Sequence, residues 1–181
     1  MQRVGHIENS HGSVTFRFDN DILNQLRGEA DQKRISLNTL ARQIFQSHVE
    51  YDTYASRAGM VSFPKSLLVR LMDSLSEREV DQLSEYISKN EIKEMTLLVK
   101  NEYTLSAFLD MIESWLRASG FGYRRDVIDG VQTFVIQHDM GKRWSIYFEK
   151  LIKYVFEDLS EKTPTFTITD NSVAFRIRRV F

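Results

Sequence analysis

The sequence predicts an α+β protein: a short N-terminal strand and two helices, a helical connector, and a C-terminal antiparallel sheet packed against helices. Three observations lead there. Residues 13–18, SVTFRF, alternate apolar and polar side chains. Apolar residues at helical spacing then dominate the chain to about residue 94 and return in two longer stretches beyond it. Two pairs of alternating runs near the C-terminus flank Asp129-Gly130 and Asp170-Asn171, dipeptides suited to hairpin turns.

Composition sets the outer limits. A chain of 181 residues with 42% hydrophobic content can build one domain of average size or two small ones. No window approaches eighteen uninterrupted apolar residues, and MQRVGHIENSHGS carries no apolar stretch of signal-peptide type, so a cytoplasmic protein with no membrane partner is expected. The absence of cysteine removes disulfides, thiolate metal sites and Cys nucleophiles together. The net charge is −1, and residues 1–57 hold seven Lys plus Arg against seven Asp plus Glu. Any contact with nucleic acid must therefore come from a small, well-placed patch. Walker, GxSxG, dinucleotide-glycine and HExxH patterns are missing, so neither an enzyme nor a cofactor is expected.

The first zone, 1–57, holds the strand and two helices. Val14, Phe16 and Phe18 share one side of the strand, and Ser13, Thr15 and Arg17 the other. Ile22, Leu23, Leu26 and Ala30 mark the first helix. Leu37, Leu40, Ala41, Ile44, Phe45, His48 and Val49 line one face of the second, which makes His48 a core histidine by expectation. Asp19 and Ser36 are the natural N-caps. The second zone, 58–94, reads as a helical hairpin, with Pro64 at a helix start and Ser76 with Glu79 as a capping box that Leu75 and Val80 staple.

The third zone, 95–181, is expected to be the α+β domain. EMTLLVKN, near 95–100, either ends a helix or forms a strand; TLSAFLDMIESWLRASG is a helix that Gly120 stops. A hairpin across Asp129-Gly130, a helix over about 142–159 and a second hairpin follow. With 95–100 as a strand, the order βαββαβ plus one strand matches a ferredoxin-like two-layer sandwich. A helix-then-hairpin unit occurs twice: Leu109, Ile112, Leu116, Phe134 and Ile136 have analogues in Phe148, Leu151, Val155, Phe175 and Ile177. Any two such units share that patterning.

A strand with two short helices cannot bury three large apolar strand residues by itself, so a partner must cover them. Pairing the strand with its copy in a homodimer makes a two-stranded ribbon, an object that the major groove of B-DNA admits. Through SVTFRFDNDILNQL and ISLNTLARQIFQSHVE, residues 12–52 resemble the ribbon-helix-helix family of DNA-binding repressors. The resemblance implies that Ser13, Thr15 and Arg17 read bases. It also implies that the N-terminus of the second helix, Ser36, Leu37 and Asn38, anchors a DNA phosphate. Lys33 and Arg34 precede that helix, and Arg3 in the N-terminal arm offers one further phosphate contact. Val14, Phe16, Phe18, Leu40 and Ile44 would form the dimer core. The turn QKRISLN departs from the family in having no glycine.

These features predict a homodimer or higher homo-oligomer that regulates transcription by binding an inverted repeat in double-stranded DNA. The C-terminal domain would sense a small-molecule effector or assemble protomers. The alternative is a dimerisation or antitoxin-like protein whose C-terminal half binds a partner protein. The layout also resembles that of nickel-responsive ribbon-helix-helix repressors, but the C-terminal zone offers only His138 as a ligand, His6 and His11 lie in the arm, and no metal site is expected. QHDMGKRWSIY places His138, Arg143, Trp144 and Tyr147 about a helix N-terminus. They are candidate ligand-binding residues, although a turn and cap with Trp144 in the core is the favoured reading.

Overall fold

In the computed structural model, which describes residues 12–178, the alternating segment 13–18 has no partner strand among the described residues. A strand exists only where its backbone groups meet another strand, and the described residues supply none here. The segment feeds two helices, α1 (Asn20–Gln32) and α2 (Leu37–Ser47). The Asp19 side chain makes no capping bond; its carbonyl starts α1 by accepting from the Leu23 amide. Ser36 does cap α2, its Oγ accepting from the Thr39 amide at 3.0 Å. Between the helices, Arg34 adopts φ +55°, so the missing glycine is replaced by an arginine in the left-handed region. The Ile35 amide then closes the turn on the Ala30 carbonyl.

The chain divides into two units, 1–44 and 45–181, with the division inside α2. Helical structure continues through a π-turn (His48–Asp52) into α3 (Thr53–Arg57), and Tyr51 and Tyr54 pack on the core of the second unit. His48 is exposed, with Nδ1 3.8 Å from Asp52 Oδ2, as are Ile44 and Phe45 earlier on the same expected face, so the apolar stripe of α2 turns to solvent beyond Leu40.

Three more helices lead to the sheet: α4 (Lys65–Asp73), α5 (Glu77–Ile87) and, after a second π-turn (Ser88–Ile92), α6 (Lys93–Lys100). Both halves of the Ser76–Glu79 capping box form. Residues 95–100 are helical, which overturns the strand on which the ferredoxin-like order depended. The helix begun at Glu77 runs on through the π-turn with Met95 and Thr96 buried, until Asn101 stops it at φ +58°.

From there the fold is αββ written twice. Helix α7 (Leu105–Ala118), β1 (Gly122–Ile128) and β2 (Val131–Gln137) are followed by α8 (Lys142–Asp158), β3 (Thr165–Ile168) and β4 (Ser172–Arg178). Gly120, at φ +67°, terminates α7, and Asp129-Gly130, at φ +49° and +73°, makes the expected I′ turn. The four strands are antiparallel in the order β1-β2-β4-β3. Phe134 and Phe175, equivalent positions in the two repeats, stand opposite each other in the central register. Their rings stack at 4.8 Å and 5°. One face of the sheet is buried, with α7 over β1 and α8 over β3 and β4. Phe108, Leu116, Ile152, Val155 and Phe156 seal it.

Phe175→Ala should lower unfolding free energy by about 3–5 kcal/mol, since it removes a buried ring and leaves a cavity at the sheet centre. Urea unfolding followed by far-UV circular dichroism measures it; a loss under about 1 kcal/mol would show that the stack is not central to the core.

Candidate functional site

In the N-terminal segment the three expected base-reading residues, Ser13, Thr15 and Arg17, are exposed. So are Val14 (71%) and Phe18 (46%), while Phe16 is half-exposed with its ring 6.0 Å from that of Phe18. Arg17 has no ion pair among the described residues. Of the expected phosphate contacts, Lys33 is joined to Glu29 at 2.6 Å on the exposed face of α1. Arg34 and Asn38 are exposed, and the Ser36 side chain is committed to Thr39. Only the Leu37 and Asn38 amides remain open at the start of α2. Arg3 lies outside the described residues, as do His6 and His11. Of the expected dimer core, Leu40 is buried within its own chain, whereas Ile44 is exposed.

The second unit contains a cavity of about 680 Å³, of which the sequence pointed only to Trp144 and Tyr147 as binding candidates. Its walls come from both π-turns, α3 and the residues after it, the end of α5, α6, α7 and α8. Five aromatic residues line it: Tyr51, Trp115, Trp144, Tyr147 and Phe148. Phe148 sits among the rings, 6.0 Å from Trp115, 5.6 Å from Trp144 and 5.5 Å from Tyr147. Met60, Met95 and Met111 add polarisable, adaptable wall. The charged lining residues are Arg57, Glu91 and Glu94, all exposed. Trp144 Nε1 is buried without a hydrogen-bond acceptor, and burial pushes the Tyr147 hydroxyl well above the ordinary tyrosine range.

Trp144 and Tyr147 thus meet in the cavity, while His138 and Arg143 are placed elsewhere by their bonds. Arg143 Nη1 donates to the Leu75 carbonyl. The His138 ring is fully buried beside Phe148, at 5.5 Å. Its Nδ1 accepts from the Met140 amide at 3.1 Å, which puts the proton on Nε2, and Nε2 donates to Ser145 Oγ at 2.9 Å. A ring bound in this way cannot take a proton from the serine, so the pair is a fastener and not a nucleophile with its base. The turn is anchored again at Asn171, whose carbonyl accepts from the His138 and Asp139 amides and whose side chain accepts from Gly141. Together these bonds fix the first turns of α8, and with them the two cavity residues.

Burial holds the His138 imidazole below its ordinary value of 6.5; the nearby Asp139 opposes that shift, and Lys65 adds to it. The unfolded chain then takes up a proton more readily than the folded one, so the stability this group supplies is complete above about pH 6.5 and is lost as pH falls through the lower folded value. The urea midpoint should drop between pH 7.5 and 5.5, and His138→Gln should show a smaller drop. Equal drops in the two proteins would place the acid sensitivity at another group.

Comparison with protein-family models, with curated proteins and with solved structures found no match to this chain.

Proposed function

We propose that the protein is a cytoplasmic, homodimeric, sequence-specific DNA-binding regulator whose first unit reads an inverted repeat and whose second unit binds an effector. The observation that carries the reading is the exposed apolar edge of residues 13–18, with Val14 and Phe18 on one side and Arg17 on the other. Two antiparallel copies of the segment would turn Val14, Phe16 and Phe18 inward and present two sets of Ser13, Thr15 and Arg17 outward. Such a ribbon fits the major groove, where a guanidinium pairs with guanine O6 and N7.

The charge distribution suits a local patch. Arg17 and Arg34 have no carboxylate partner among the described residues, and the open amides of Leu37 and Asn38 favour an anion such as a backbone phosphate. A two-fold reader takes a two-fold operator. The packed core of the second unit supports an effector-binding domain over a tail that orders only on a partner protein.

Selection from a random duplex pool, followed by binding at several salt concentrations, tests the reading. An inverted repeat should be enriched, with affinity falling steeply as salt rises. Arg17→Ala should cost about tenfold or more in preference for that repeat, while Lys33→Ala should weaken all sequences alike and flatten the salt slope by about one. Unchanged affinity and preference in Arg17→Ala would overturn it.

A further inference from the structure

We propose that the aromatic cavity of the second unit is a binding site for a planar, lipophilic organic cation that carries a hydrogen-bond acceptor. The proposal deepens the effector half of the reading above by giving the effector a chemistry. At about 680 Å³ the cavity falls in the range that encloses a drug-sized molecule. One feature of its wall is costly without a ligand: the buried Trp144 N–H has no acceptor among the described residues. A ligand acceptor seated beside Trp144 would satisfy that donor.

Charge and ring content choose the sign. Glu91 and Glu94 face the cavity against a single cation, Arg57, and none of the three has an ion-pair partner among the described residues. The charged lining is therefore acidic on balance. Aromatic faces attract cations in the same sense, and five of them here leave little room for an anion's preference. Both π-turns contribute to the walls, Tyr51 from one and Glu91 and Ile92 from the other. A π-turn is rare inside a helix and is found frequently at functional sites. Its recurrence on two elements around one cavity supports a site there.

Rhodamine 6G, a planar cation with an ester acceptor, is the probe. It should bind the full chain saturably, one molecule per chain, with quenching of tryptophan emission. Affinity should exceed that for the anion 8-anilino-1-naphthalenesulfonate by about tenfold or more. The double variant Glu91→Gln/Glu94→Gln changes two exposed side chains, so it should stay folded. It should weaken rhodamine 6G severalfold and leave the neutral N-phenyl-1-naphthylamine unchanged. Leu98→Trp, which fills the cavity from a partly exposed position on α6, should abolish binding of the cation. No saturable binding, equal or tighter binding of the anion, or indifference to either variant would overturn the proposal. No DNA is present in these titrations, so their failure leaves the DNA-binding reading to its own test, and failure of that reading leaves the cavity result intact.

Discussion

A single geometric constraint organises the second unit: its antiparallel sheet has one face to bury, and two αββ repeats must bury it together. Neither repeat closes a core alone, because a two-stranded hairpin under one helix leaves its inner side chains half covered. Placing β2 against β4 joins the two hairpins into one sheet and sets Phe134 on Phe175 at the seam. The rest follows from the pairing. With the repeats in register, α7 covers β1 and α8 covers β3 and β4, the two helices meet through the rings of Trp115 and Phe148, and α4 and α5 pack on α8.

Helix α8 has two tasks along its length. Its later turns bury Leu151, Ile152, Val155 and Phe156 against the sheet and its neighbours. Its first turns carry Trp144, Tyr147 and Phe148 toward the cavity and are held by polar bonds as well as by ring contacts. The buried His138–Ser145 bond, the Asn171 cradle and the Arg143 bond to Leu75 all act there. A buried polar group is costly unless satisfied, and His138 is satisfied on both nitrogens. By contrast, the Trp144 N–H a few residues away is not. Firm anchoring of the helix start beside an open donor is the pattern of a preorganised wall, since the backbone that carries the indole is fixed.

Local chemistry was legible in the sequence wherever a few neighbouring residues decide the outcome. The Asp129-Gly130 turn, the Gly120 stop and the Ser76–Glu79 box each formed where their residue types required. What the sequence hid depends on residues far apart. EMTLLVKN satisfies strand and helix patterns alike, and the helix won because α5 continues through the π-turn and buries Met95 and Thr96. His48 misled because the apolar stripe it shares with Ile44, Phe45 and Val49 lies exposed beyond Leu40, and periodicity alone does not say what covers a stripe. Of the cavity, only Trp144 and Tyr147 were visible beforehand, because they sit in an unusual local stretch. Tyr51, Glu91 and Trp115 come from three other elements and read, one by one, as ordinary helix residues.

The first unit poses the opposite problem, a segment with a clear pattern and no internal means of using it. Alternation over 13–18 has physical meaning only when a second strand pairs with it, because the period of two describes a pleat and a lone extended chain gains nothing from it. Keeping Val14 and Phe18 in water favours whatever covers them. A second copy has the advantage of self-complementarity: the same apolar residues meet themselves across a two-fold, and the same polar residues are doubled on the far side. That doubling matters for a chain of net charge −1. In the proposed ribbon, two Arg17 side chains would concentrate positive charge where a groove would meet it, without requiring the rest of the molecule to be basic.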